Sequence, residues 1–559
     1  MRKRFRLILA AAAAASLLLS GCGGSTSGDG SDAQTEQAGN AEGTESAGST
    51  SSGTDTSGFL VVPLVADIQT ADVHKTTKDY EIPLNIYDRL VDIEVKEDGS
   101  SEIVPSLAES WEISGDALTY TFHLRQGVKF HNGEELTADD VEYSFTRQLS
   151  VEGAVNTDFL AQIKGASQLL EGTADQLEGF ETVDDYTFTI TLSEPYAGFL
   201  ACLSTPGCSI YNREATEAAG DQFGLDPSVT VGTGPFRLTD WTINDQLVLT
   251  RYEDYWKGPS ELPGVVIRIV PDTETQRMMF ESGELDVVDL DYLPDAVDDF
   301  TTRYPDQIVS GPRVGTTYFT MNQNIEPFQD VRVRKAVQMA IDRQAILDAL
   351  YGGRGQVENG IYPHGLYGFN SSLPEITYDP EEAKALLAEA GYANGFEMQI
   401  AADSSASDAT NQALEIIQAQ LGEIGIQAEI QNMDESTWLA TRNSGEMGSF
   451  MSTWTADYND PDNFIYTFFG TPENTKLRSL NYSDTEVMER VQKARTIVDA
   501  DERIAEYQAL EEKIVTEDAA WVPMYSRTHS FAVSKRVQGF EVPWNGLSDC
   551  YFYGLSLSE

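Results

Sequence analysis

From residue 59 onward, runs of apolar residues and period-two alternation divide the chain into predicted strands and helices. FLVVPLV at 59–65 is a continuous apolar run and predicts a strand. LTYTFHL at 118–124 and the stretch 186–192 alternate apolar with polar, the pattern of strands buried on one face. RLTDWTINDQLVLTRY, entered through the turn of Val231-Gly-Thr-Gly-Pro-Phe236, is strand-like, as are PGVVIRIV and AAWVPMYSRTHSFAVSK. Turns fall at Asp98-Gly99 and His131-Asn132-Gly133. Helix signals interleave with these. Thr137-Ala-Asp-Asp140 is a capping box, in which the Thr hydroxyl and the Asp carboxylate satisfy each other's free N–H groups. A helix is predicted over 273–282. Asp330 caps another whose Val333, Ala336, Val337, Ala340 and Ile341 share one face. A further helix over 380–390 has Asp379 as N-cap, Pro380 at its first position and Gly391 just past its end. A helix over 411–421 feeds a strand over 425–430, and two helices lie within 483–518, the first opened by the box Ser483-x-x-Glu486. Strands and helices mix without a steady βαβ period or internal repeat. The predicted class is α/β with mixed sheets.

The first residues follow a different pattern. Arg2, Lys3, Arg4 and Arg6 precede an apolar run over 7–19, too short to span a bilayer and built like a secretory leader. It ends in Leu19-Ser20-Gly21-Cys22, which resembles the lipobox of bacterial lipoproteins, so a signal peptide over 1–21 and lipidation of Cys22 are expected. Residues 23–58 are Gly, Ser, Thr, Ala and acids with a few Gln and Asn and no aromatic, Lys or Arg. That composition cannot bury enough surface to fold and predicts an acidic, self-repelling tether over 22–58. A long tether behind a lipid anchor favours a Gram-positive type of envelope. No later segment is apolar enough to cross a membrane.

At 559 residues the chain is too long for one core, and two or three domains are expected. The formal charge of −53 disfavours nucleic acid and anionic lipid as partners. Loss of the leader's four basic residues leaves 33 of 37 against 90 acids, or −57. The exported part keeps Cys202, Cys208 and Cys550, an odd number. Thr205-Pro206-Gly207 is a turn that could bring Cys202 and Cys208 together as a disulfide. No Cys-x-x-Cys pair supports a zinc or redox site.

The candidate chemistry concentrates in FMSTWTADYNDPDNF at 450–464. It holds Trp454, Tyr458, Asp457, Asp460 and Asp462, with no Lys or Arg. Carboxylates beside an indole suit a ligand cation, held by a salt bridge and a cation–π face, and a peptide's α-ammonium group is such a cation. Other chemistries fit poorly. The D-x-x-D-x-D spacing lacks the alternate acids, central Gly and final Glu of a calcium loop. Val231-Gly-Thr-Gly-Pro has no following Lys-Ser/Thr for phosphates. The five histidines include no zincin pair, and no Gly-x-Ser-x-Gly is present. Catalytic residues, metal and cofactor are expected to be absent.

In order along the chain stand NIYDRL at 85–90, LAESW at 107–111, LRQGVKFHNGEELTADDVEYSF at 124–145 and VGTGPF at 231–236. After them come PFQDVRVRKAVQMAIDR at 327–343, YDPEEAKALLAEAGY at 378–392, WTADYNDPDNF at 454–464 and VPMYSR at 522–527. With these blocks the folded part resembles the peptide/nickel class of extracellular solute-binding proteins, the oligopeptide and dipeptide receptors of ABC importers. The resemblance implies a three-domain periplasmic-binding-protein-like fold. Domain I would comprise 59–91, 229–309 and 525–559, domain II the insert 92–228, and domain III 310–524, with a hinge near Gly311 and Tyr525. It implies that Asp457 pairs with the ligand ammonium beside Trp454 and Tyr458, and that Thr453 and Thr455 offer backbone groups to the ligand main chain. Asp79 and Tyr80 would contribute from domain I. In Trp438-Leu-Ala-Thr-Arg442, Arg442 would face a ligand carboxylate. Ala71-Asp-Val-His-Lys75 departs from the family's Leu-Asp-Pro-His-Lys. The implied partners are a peptide ligand and a permease of two membrane subunits and two ATPases, with the receptor itself a monomer. Nickel chelates, oligosaccharides, other small solutes or a peptide-signal role are the alternatives within the same fold.

Overall fold

The computed structural model describes residues 55–76, 80–95, 101–293, 296–543 and 550–558. The leader, Cys22, nearly all of the tether and the Asp98-Gly99 turn lie outside the described residues. Residues 56–559 form one unit built on three principal sheets.

The apolar run at the start becomes strand Leu60–Leu64, parallel to Gly264–Ile269. That strand in turn pairs antiparallel with Gln246–Arg251, and Gln246–Arg251 with Phe236–Thr242. The long strand-like stretch after Phe236 is therefore a hairpin. It turns at Asn244, whose φ of 59° lies in the left-handed region that Asn tolerates better than most side chains. A second, wholly antiparallel sheet has the order Ala108–Ile113, Thr119–Leu124, Thr187–Thr191, Phe180–Asp184. Helix Ala138–Ser150 packs on it, its Thr137/Asp140 capping box formed as predicted. Phe122, Phe145, Phe188 and Phe199 are buried in the core between them.

The largest sheet is organised on Trp521–Val533, whose 13 residues meet several partners in turn. Its first half pairs with Gly315–Thr320 and its second half with Ile308–Pro312 and Val287–Asp289. Beyond Gly315–Thr320 the order continues through Ser449–Thr455, Glu397–Asp403 and Gln427–Met433. Helix Val331–Ala340 is capped by Asp330 and Pro380–Glu389 by Asp379, while Gly391 takes φ 95° where a Cβ would be strained. Some boundaries and caps differ from the sequence expectation; the strand expected over 425–430, for one, runs Gln427–Met433. The helix expected over 411–421 runs Asp408–Glu423 because Ser407 supplies its cap. Helix Thr485–Ala494 is capped by Asp484, whose carboxylate accepts from Glu486 N and Val487 N, and not by a Ser483 box. Among the described residues no helix is long and apolar enough to cross a membrane.

The possible Cys202–Cys208 disulfide is not formed, and both are buried free thiols. The turn between them tightens into the 3-10 segment Pro206–Cys208. Cys202 Sγ lies 3.9 Å from Tyr196 Oη, and Cys208 Sγ accepts from Thr205 Oγ1 at 3.7 Å. Burial pushes the Cys208 thiol up to about 12.

Candidate ligand-binding cleft

Strand Ser449–Thr455 sits inside its sheet over only half its length. On one side Met451–Thr455 pair with Phe319–Gly315. On the other, pairing with Glu397–Asp403 stops at Phe450, opposite Ala401. From Met451 to Thr455 that second edge has no strand partner among the described residues, so its peptide groups are open to an added strand. Thr453 is exposed, with its hydroxyl 2.9 Å from that of Thr317.

After Thr455 the chain turns into helix Asp462–Phe469, and Asn463 in its first turn holds the turn together. Asn463 Oδ1 accepts from Trp454 Nε1 at 3.1 Å and from Asp457 N at 3.0 Å, while its Nδ2 donates to Asp457 Oδ2 at 2.9 Å. One amide thus fixes the indole and the carboxylate relative to each other.

The three acids of this stretch have separate fates. Asp460 is buried against Arg503, and Asp462 accepts from Tyr507 Oη at 2.9 Å and lies 3.3 Å from Arg495 Nε. Both are therefore neutralised by arginines more than 30 residues downstream, which the local absence of Lys and Arg concealed, and neither is left for a cation. Asp457 makes no ion pair among the described residues. Its side chain is exposed and lines a half-open cavity of about 840 Å³. Desolvation raises its pKa, the Asn463 hydrogen bond opposes this, Asp158 adds to the rise, and Arg478 opposes it more weakly.

The cavity gathers Thr455 and Asp457, Tyr80 and the Arg89–Asp92 pair, Asp158, Thr205 and Tyr551. Tyr80 lines the same cavity as Asp457, its hydroxyl accepting from Asn156 Nδ2 at 3.1 Å. Asp79 lies outside the described residues. Other expected contacts are placed differently. Trp454 carries the Arg478 guanidinium 4.7 Å from its ring centroid, so the chain itself already supplies a cation to this indole. Tyr458 is half-buried against the core of the second sheet and is not among the residues lining the cavity. Its hydroxyl accepts from Tyr196 at 3.3 Å and reaches Asp462 at 3.5 Å, and Phe159 meets its ring edge-on. Trp438 is core, 8% exposed and packed edge-on against Phe450 at 5.2 Å. Arg442 covers the Trp438 ring at 5.4 Å. Asn463, Arg478, Arg89 and Asp158 were missed. Asn463 was visible as the last polar residue of DPDNF and Arg89 stood within the NIYDRL block, whereas Arg478 and Asp158 lie in stretches with no local mark.

The turn is also supported from behind. Tyr367 N donates to Asn459 Oδ1 at 2.8 Å, and the loop carrying Tyr367 is tied by Ile361 N and Tyr362 N to Glu511 Oε1 at 2.6 and 2.8 Å. Burial raises the Glu511 carboxyl from 4.5 to about 8. The folded protein therefore keeps a proton that the unfolded chain releases. This contribution is full below the unfolded value and disappears as pH rises through the folded one. Melting temperature is expected to fall between about pH 5 and pH 9 from this group, by the equivalent of a few kcal/mol. Glu511→Gln should flatten that part of the profile, as scanning calorimetry at several pH values would register.

The model for the bacterial extracellular solute-binding proteins, family 5 (middle region), matches residues 102–476. The chain belongs to this family. It is 32% identical to heme-binding protein A of Haemophilus influenzae over 98% of both chains, and 31% identical to the dipeptide-binding protein of Escherichia coli over 82% of this chain and 86% of that one. Among solved structures it resembles HbpA2 of Haemophilus parasuis, with 30% identity and a TM-score of 0.79 over 89% of this chain and all of that one. It also resembles the DppA binding protein of Helicobacter pylori in complex with the peptide STSA, with 28% identity and a TM-score of 0.67 over 89% of this chain and 98% of that one. The fold is thus the multidomain α/β fold of these periplasmic binding proteins, and the chain is a binding protein, not an enzyme.

Proposed function

We propose that this protein is the receptor of an ABC importer that captures short extracellular peptides by their free amino end. Asp457 carries this reading: among the described residues it is the one acid of its turn without an arginine or lysine partner, at the wall of a roomy cavity and two residues beyond an open strand edge. An α-ammonium group on Asp457 fixes the register of the ligand. The free N–H and C=O groups around Thr453 and Thr455 then bind a peptide main chain regardless of its side chains. Residues 310–524 close against 59–91, 229–309 and 525–559 about the strands near Gly311 and Tyr525, with 92–228 as the inserted domain. Cys22 anchors the mature chain by lipid, the tether carries it clear of the membrane in a Gram-positive type of envelope, and the loaded monomer delivers to a permease of two membrane subunits and two ATPases.

A second reading has one specific support: a relative matching 98% of the chain is named for heme. A cargo other than peptide would keep the fold and the cleft and change only what touches Asp457. Native mass spectrometry of the untagged protein as purified separates the two. Peptide adducts of a few residues with free amino ends are expected, and a heme adduct or a chelate would overturn the peptide reading.

A further inference from the structure

The wall of the cavity at Asp457 carries almost one sign of charge. Asp92, Glu94, Asp158, Asp457 and Glu541 line it, against Arg89 as the one basic side chain among the described lining residues. Arg89 is buried and already engaged by Asp92, whose Oδ1 accepts from its Nη2 at 2.8 Å. Arg478 acts on Asp457 from outside the lining. Acids on an open surface are screened by solvent and salt. In a half-open cavity of about 840 Å³ they are screened less and repel each other more.

Asp158 is held in place by its segment. It lies in the 3-10 turn Thr157–Phe159, entered through Asn156 at φ 59°, a left-handed conformation that Asn tolerates. Asn156 Nδ2 donates to Thr76 O and Tyr80 Oη, both at 3.1 Å, and Asn156 O accepts from Gln148 Nε2 at 2.9 Å. The turn is thereby tied to Tyr80 on one side and to helix Ala138–Ser150 on the other. The Asp158 carboxylate makes no hydrogen bond or ion pair among the described residues, yet its charge reaches Asp457. Phe159, next in the turn, also lines the cavity and offers an apolar face to an aliphatic stem. Two fixed carboxylates that feel each other across a cavity are both relieved by a ligand carrying two cations.

We infer that Asp158 determines specificity in this cavity, receiving the side-chain cation of a peptide whose first residue is lysine or arginine while Asp457 holds the α-ammonium group. The inference rests on the proposed capture of an amino end and names the class of peptide that the cavity favours. Lysine and arginine carry their charge at the end of a long, flexible stem, as two acids at separate points of one wall require. An uncharged first side chain leaves Asp158 facing Asp457 with no cation of its own.

Calorimetric titration of the parent protein and of Asp158→Asn with Lys-Ala-Ala, Met-Ala-Ala, Ala-Ala-Lys and Nα-acetyl-Lys-Ala-Ala tests this. Lys-Ala-Ala should bind the parent about 3- to 10-fold more tightly than Met-Ala-Ala, between the worth of an exposed ion pair and that of a hydrogen bond to a charged group. Ala-Ala-Lys has the same net charge as Lys-Ala-Ala and should gain no such advantage, and the preference should shrink as salt is raised. In Asp158→Asn the preference for lysine over methionine should vanish. The comparison of peptides on the parent needs no variant and stands even where the substitution impairs folding. The acetylated peptide separates the two readings: if it binds the parent as well as Lys-Ala-Ala does, the ammonium role of Asp457 fails while the lysine preference at Asp158 stands. Equal binding of Lys-Ala-Ala and Met-Ala-Ala by the parent, an equal gain for Ala-Ala-Lys, a preference that survives in Asp158→Asn, or binding of none of the peptides overturns the assignment.

Discussion

An Arg503→Ala variant should unfold about 3–5 kcal/mol more easily than the parent, the largest loss expected from any single change near the cleft. Arg503 and Asp460 are both buried, and the guanidinium also covers the Tyr507 ring at 5.1 Å. Burial alone raises the Asp460 pKa, and Arg503 is the main influence holding it down. Without Arg503 the carboxylate must either remain charged in an apolar setting or take up a proton. The turn would loosen as well, since Asp460 Oδ1 accepts from Asp462 N at 2.9 Å in the first turn of the helix that carries Asn463. Denaturant titration of Arg503→Ala and of Arg503→Met/Asp460→Leu distinguishes a lost pair from a stranded charge: the double variant should recover much of the loss. A single-variant loss below about 1 kcal/mol would mean that the pair behaves as an exposed one.

Asp457→Ala should weaken binding of peptides with a free amino end about 10- to 100-fold, the worth of a hydrogen bond to a charged group at roughly 1.5–3 kcal/mol. N-acetylation should cost the parent protein at least as much and the variant nothing more, the non-additivity expected of two changes that remove one contact. Asp457→Asn should lose as much as the alanine variant, because the charge and not the shape is at stake. The raised pKa of Asp457 adds a pH signature. Affinity for an ammonium group should fall on acidification at a pH above the ordinary carboxylate range, where the group takes up its proton. Calorimetry across that range on parent and Asp457→Asn would check this, since only the parent should show the fall.

Periodicity and capping were enough to place much of the fold. The alternation of 118–124 and 186–192 became neighbouring strands, and Thr137, Asp330 and Asp379 start helices where their side chains can cap a free N–H. Such signals act over a few residues, so they are visible one segment at a time. The order of eight motif blocks named the family for the same reason: each is a local pattern. Asp457 was legible as a candidate because no basic residue stands near it in the chain.

The tertiary structure decided which of three similar acids stays available. Arg495 and Arg503 come from a helix end and a helix far downstream, and a buried ion pair depends on distance in space, which the linear absence of Lys and Arg could not reveal. The same limit applies to Trp454, whose ring is covered by Arg478, and to Trp438, which turns into the core. It applies also to Cys202 and Cys208, which a short turn seemed able to join. The sequence by itself determined the class of fold, the family and the turn on which recognition is proposed to rest. Charge pairing and desolvation, which require all the neighbours in three dimensions, decided which side chains remain open to a ligand.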